Sequence, residues 1–245
     1  MSSSRGSVLD GEWYKSREGA GLLASLSQPG TGYRKLYGLL EQPSLPPSIP
    51  TLPFKVFLVG RAGTGKTCTA SWLAGLPGWS YQLGESPGVR TSHVYWPARV
   101  GGKLVLFRLH LWDAGDSAVR KYGHVYPVCR EGASGVLLLF SFTDRASWEE
   151  LPGLLQRTVY SQDGPGILPI IVGTKFGNPG DNEVSQDEVV EAEASWNIPV
   201  VRIRHQSQNP APAPLPEVAA ALNTICEQLY LAKHRQKIIT EPALV

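Results

Sequence analysis

Residues 54–67 read FKVFLV and then GRAGTGKT, and this stretch decides the fold. The first six residues, nearly all apolar and rich in Val and Phe, read as a short buried strand. Gly60-Arg61-Ala62-Gly63-Thr64-Gly65-Lys66-Thr67 then fits G-x-x-x-x-G-K-[ST], between that strand and a helix predicted over 66–74. The glycines let successive backbone N–H groups turn inward around an anion, and the helix N-terminus adds its dipole. Lys66 is placed to reach the β and γ phosphates, and the Thr67 hydroxyl to ligate magnesium. The loop implies a nucleoside triphosphate with Mg2+. It does not say which base.

Upstream, the Pro-rich run 42–53 (QPSLPPSIPTLP) cannot sustain a helix or a central strand, which divides an N-terminal extension (1–53) from a main domain (54–236) and a short tail (237–245). Within the extension, Trp13, Leu22, Leu23 and Leu26, then Tyr33, Leu36, Tyr37, Leu39 and Leu40, recur at loosely helical spacing on either side of Pro29-Gly30. Two short helices are expected there, packed on the domain or serving a partner. Downstream, 92–100 and 103–112 around Gly101-Gly102 read as a hairpin, followed by a helical stretch over 117–130. Strands at 135–142, 168–173 and 199–203 alternate with helices at 146–160, 185–196 and 216–236. Apolar strands alternating with amphipathic helices imply an α/β fold: a six-stranded, mostly parallel sheet with one antiparallel edge strand and helices on both faces.

Composition narrows the function. The chain has 245 residues, 42% apolar and 18% charged, enough for one substantial core. A net charge of +2 without a basic cluster gives no footprint for nucleic acid. The longest apolar run, 135–142, is far short of the roughly 18–20 residues that cross a bilayer. The opening MSSSRGSVLD is polar, which points to the cytosolic side. Cys68, Cys129 and Cys226 are too widely spaced for a zinc pattern, and the tail IITEPALV carries no lipidation signal, so no direct lipid anchor is expected.

Two later segments bear on the base. LHLWDAGD (109–116) and IIVGTKFG (170–177) stand at predicted strand ends and, with the phosphate loop, resemble in order and spacing the motifs of the Ras superfamily of small GTPases. The resemblance implies nucleotide contacts at Gly60, Ala62, Gly63, Thr64, Gly65, Lys66, Thr67, Cys68, Gly115, Thr174, Lys175 and Phe176. It implies a magnesium site at Thr67, Asp113 and a switch hydroxyl, with Ser86 the better-aligned candidate and Thr91 the other. This sequence departs from the family in several places. The Asp113-Ala114-Gly115 turn is one residue short of Asp-x-x-Gly, and Asp116 stands where a Gln orients water, so it takes the catalytic position by alignment. Gly177 replaces the base-reading Asp, and Arg204-His205-Gln206 replaces Ser-Ala-Lys.

VYWPAR (94–99), the short WDAG turn and FSFTDRASWEEL (140–151) with Pro152-Gly153 are similar to the Rem- and Rab-like small GTPases of the ciliogenesis and planar-polarity effector complex. That likeness implies a GTP/GDP switch working with effector proteins in cilium assembly, planar polarity and vesicle delivery, at the ciliary basal body. It also implies slow hydrolysis at most, because Asp116 is an acceptor-only carboxylate beside phosphate charge and Ala62 puts a methyl where relatives have Gly. The competing readings are a pseudo-GTPase that holds nucleotide without turnover and an ATP-using P-loop enzyme.

Overall fold

The computed structural model describes residues 7–31, 33–35, 37, 41–76, 88–116, 121, 125–160, 167–176, 179–204 and 215–240, with backbone alone at 179 and 236–240. Six strands form one sheet: β1 (Thr51–Val59), β2 (Val89–Val100), β3 (Lys103–Ala114), β4 (Gly135–Ser141), β5 (Leu168–Thr174) and β6 (Val200–Arg202). Their spatial order is β2-β3-β1-β4-β5-β6, with every neighbouring pair parallel except β2 with β3. The antiparallel pair arises because Gly101 (φ 54°) and Gly102 (φ 79°) both sit in the left-handed region, the backbone a tight two-residue hairpin turn requires. From β3 onward each connection joins parallel strands and must cross over, with helices lying between them.

The sheet splits the core in two, as period-2 alternation demands. Phe54, Val56 and Leu58 of β1 join one cluster with Leu73, Trp96, Phe107 and Leu222, whereas Phe57 joins the other with Phe140, Trp148 and Leu155. The first face is covered by α1 (Arg17–Ser25), α2 (Lys66–Leu73) and α7 (Leu215–Thr240). On α7, Val218, Leu222, Ile225 and Leu229 are buried at three- and four-residue spacing, the stripe of a helix laid on a sheet. The second face carries α3 (Val125–Arg130), α4 (Arg145–Glu149), α5 (Leu151–Thr158) and α6 (Gln186–Trp196). The start of α6 is fixed by a reciprocal Ser185–Glu188 capping box.

Three expectations change. The helix expected over 146–160 is two, because Pro152 at the start of α5 lacks an N–H and its ring crowds the preceding turn. Strand β1 begins at Thr51, so Pro53 lies inside a strand. The reason is geometric: the Pro50 carbonyl accepts from Leu106 N–H on the β3 side and the Lys55 carbonyl from Ser134 N–H on the other. By alternation Pro53 faces away from β3, where β4 pairing begins only at Val56, so no ladder bond is lost. The third change is in the extension. Helix α1 forms, capped by Ser16, but the second expected helix does not: among the described residues, Arg34 bridges Ser27 and Tyr37 bridges His93 as extended chain. Leu9, Tyr14 and Leu23 enter the main core, so the extension packs on the sheet.

Candidate nucleotide site

The phosphate loop leaves the C-terminal end of β1, where the parallel strands converge on one rim. A Cβ on Gly60 would stand 2.5 Å from the Leu139 carbonyl oxygen of β4, so only glycine lets the chain turn there. Gly63 (φ 82°) and Gly65 (φ 86°) hold left-handed backbone that wraps the loop before α2. The first N–H groups of α2 have no intrahelical acceptor and point along its axis into that loop. Thr69 N–H closes the first turn on the Gly65 carbonyl at 2.8 Å.

Side chains then converge on the cradle. The buried Lys66 ammonium donates to the carbonyls of Gly60 (2.7 Å) and Arg61 (3.1 Å), which keeps it over the loop. Thr67 Oγ1 donates to Asp113 Oδ2 at 2.5 Å, joining the start of α2 to the end of β3. Asp113 is only 2% exposed, and a buried carboxylate beside a hydroxyl is a hard-oxygen pair suited to magnesium. Among the described residues no cluster of three His, Cys, Asp or Glu side chains could hold a metal. The Thr67 hydroxyl and the Asp113 carboxylate are the oxygen donors that would hold Mg2+, whose charge would offset that of the phosphates.

Of the other expected residues, the structure gives several a definite place. Ala62 is exposed on the loop, and Thr64 is buried, its hydroxyl donating to the Arg61 carbonyl at 2.8 Å. Cys68 is half-buried in the first turn of α2. Gly115 N–H donates to the Gly88 carbonyl at 3.1 Å, extending the β2–β3 ladder one step past Val89 and Ala114. That amide contacts a phosphate only if this pair opens. Asp116 lines a cavity of about 490 Å3 between β1, α3 and α5, which also reaches Gly60, Tyr126 and Arg157. Thr91 is held in β2 opposite Trp112 with its side chain exposed, while Ser86 lies outside the described residues.

At the base side, Thr174 is tied to its neighbours. Its buried hydroxyl, the donor to both carbonyls, is 2.8 Å from Thr64 O and 3.1 Å from Phe140 O, which ties the end of β5 to the phosphate loop. Lys175 takes a positive φ of 56° and is exposed. Phe176 stacks obliquely on Phe142 at 5.1 Å with the Arg204 guanidinium 5.6 Å from its ring centre. Gly177 lies outside the described residues; Asp181 ends a short exposed turn, Pro179–Asp181.

Farther along the hairpin, His93 and His110 face each other across β2 and β3 at 4.5 Å between ring centres. Trp112 Nε1 donates to His110 Nδ1 at 3.2 Å. Burial first, then the neighbouring His93, Lys55 and Arg108, lower the His110 pKa to about 4. The Lys55 ammonium lies over the Trp112 ring at 4.1 Å and caps the carbonyls of Val128 and Glu131, so β1 holds α3 in place.

Sequence comparison agrees with this geometry. Residues 55–209 match the Ras family model. Ciliogenesis and planar polarity effector 2 of Xenopus laevis is 36% identical over 95% of this chain and 95% of its own length. The human protein of that name is 36% identical over 92% of this chain and 90% of its own. Human GTP-binding protein REM 2 is 30% identical over 55% of this chain and 38% of its length. With the strand order, the phosphate cradle and the Thr67–Asp113 pair in place, the chain belongs to the Ras family.

Proposed function

We propose that this protein is a GTP-binding switch that acts with effector proteins in cilium assembly and planar polarity. The observation that carries it is the convergence at the loop: Lys66 over Gly60 and Arg61, and Thr67 within 2.5 Å of Asp113. In this reading the loop amides and Lys66 would bind the phosphates, Thr67 and Asp113 would hold magnesium with the Ser86 or Thr91 hydroxyl, and Lys175 and Phe176 would flank the base. Switching moves one donor: Gly115 N–H leaves the Gly88 carbonyl for the γ phosphate, which unzips the end of the β2–β3 ladder and reshapes what a partner sees. Similarity to the ciliogenesis and planar polarity effectors supports the biological setting, to which we add targeted vesicle transport or exocytosis and a place at the cytoskeletal base of the cilium in the cytoplasm.

A second reading has one observation of its own. Because Gly115 N–H is already satisfied within the sheet and Asp116 replaces a water-orienting amide, the chain can hold nucleotide as a structural element with negligible hydrolysis. Chromatography of the nucleotide released from denatured, freshly purified protein separates the readings. GDP supports the switch and intact GTP the near-inactive form. ATP or ADP would refute both.

A further inference from the structure

Strand β2 is the outer strand of the sheet, and an outer strand offers a row of N–H and C=O groups to any other strand. Which residues face out follows from the register. Leu106 of β3 pairs with Pro97, and its N–H is spent on Pro50, on the β1 side. Leu106 and Pro97 are therefore a non-hydrogen-bonded pair, and alternation turns the backbone groups of His93, Tyr95, Pro97 and Arg99 outward.

Part of this outward row is met within the chain, near both ends of the stretch, and Pro97 between them lacks a donor. Asp10 N–H donates to the Arg99 carbonyl at 3.0 Å, and Leu9 bridges Val100. Pro97 has no N–H to offer. Tyr37 bridges His93, and its ring meets the Tyr95 ring edge-on at 4.9 Å while the Tyr95 hydroxyl donates to the Glu41 carbonyl at 3.1 Å. The segment making these contacts is anchored: Leu9, Trp13, Leu23 and Leu26 are buried, and Asn223 of α7 links the Trp96 indole N–H (2.8 Å) to the Gly11 carbonyl (3.0 Å).

We propose that the N-terminal extension, through Leu9 and Asp10 near one end of β2 and Tyr37 nearer the other, is this domain's own edge cover, standing where a second copy of the chain would pair. Partners of the switch then dock without adding a strand to the sheet, and a chain whose segment is unlatched pairs with a second copy along β2. The first consequence rests on the switch reading; the test needs no nucleotide, so either can fail alone. The burial of the segment's apolar residues in the main core argues for a fixed cover rather than a lid.

Hydrogen exchange on the full chain reads the cover directly: the Asp10 and His93 amides are expected to exchange at least about tenfold more slowly than Gly102 in the hairpin turn. Sedimentation then reads the edge. Wild type and Pro97→Val alone, which restores a donor behind the cover, should both be monomers. Pro97→Val combined with Asp10→Pro and Tyr37→Pro should dimerise at the same concentration. Exchange at Asp10 and His93 as fast as at Gly102 overturns the proposal, as does a dimer from Pro97→Val alone or a folded triple variant that stays monomeric. If the triple variant does not fold, exchange in the wild type decides.

Discussion

The two ends of the candidate site are built by different means. At the phosphate end, backbone does the work: Gly60 passes within contact of the Leu139 carbonyl, Gly63 and Gly65 supply left-handed turns, and α2 presents its first amides. At the base end, the candidate contacts are single side chains at and just past the end of β5, and the hydroxyl of Thr174, the last residue of that strand, is spent on Thr64 and Phe140. A backbone cradle cannot lose a part without refolding. A loop side chain such as the family's Asp can become Gly177 without disturbing a strand. Affinity here should therefore come mainly from phosphate and magnesium, with base selectivity the weaker component.

The largest effect tests the phosphate end. Lys66→Ala or Thr67→Asn should weaken triphosphate binding about a hundredfold or more, since each removes a charged or metal-ligating contact. Both should also lose the thermal shift that bound ligand gives wild type. Labelled-nucleotide titration and melting curves check this, and wild-type stoichiometry in both variants would break the comparison.

The base end should respond by gain. Gly177→Asp supplies an acceptor for two guanine N–H groups, and even partial alignment worth about 1.4 kcal/mol appears as tenfold tighter GTP binding. The rival is Asp181, exposed four residues on; if it already reads the base, Asp181→Ala loses the GTP-over-ATP preference and Gly177→Asp gains little.

Between the two ends, Thr174→Val keeps the shape and deletes the donor to Thr64 and Phe140. It should cost about 1–3 kcal/mol of stability and loosen both nucleotides together, leaving the GTP-to-ATP ratio unchanged. Denaturant melts and the same titrations test it. A changed ratio would make Thr174 a base reader after all.

The smallest effect lies in the strands joining the switches. Because the folded His110 pKa, about 4, is below its ordinary value of 6.5, the unfolded chain takes up this proton first. Its contribution to stability is full above pH 6.5 and is lost as pH falls toward 4. His110→Asn keeps an acceptor for Trp112 and cannot titrate, so its melting temperature should fall less than that of wild type between pH 7 and 5. Parallel curves would contradict this.

Much of the fold was legible because its signals are local. The phosphate loop fixes β1 and α2, Gly101-Gly102 fixes the hairpin, and uninterrupted apolar strands such as β4 announce a sheet covered on both faces. The misreadings come from non-local partners. Tyr33 and Tyr37 have helical spacing, but Tyr37 is satisfied across the chain by His93 and Tyr95, which periodicity cannot register. Pro53 reads as a breaker until one knows that its missing donor faces the side where β4 has not begun. In the site, residue types pointed to the loop and to Thr67 and Asp113, which the structure brings into hydrogen-bond contact. The Thr174 tie to Thr64 and the Gly115 bond to Gly88 were invisible, because a hydroxyl or an amide does not reveal its acceptor in sequence.

The most direct test of the central claim is equilibrium titration of labelled GTP and ATP against the full chain, with magnesium and after its chelation. Chelation is expected to weaken GTP binding sharply, and GTP to be preferred over ATP by a margin smaller than in an Asp-bearing relative measured alongside. Binding that ignores chelation, or a GTP preference as large as that relative's, would contradict it.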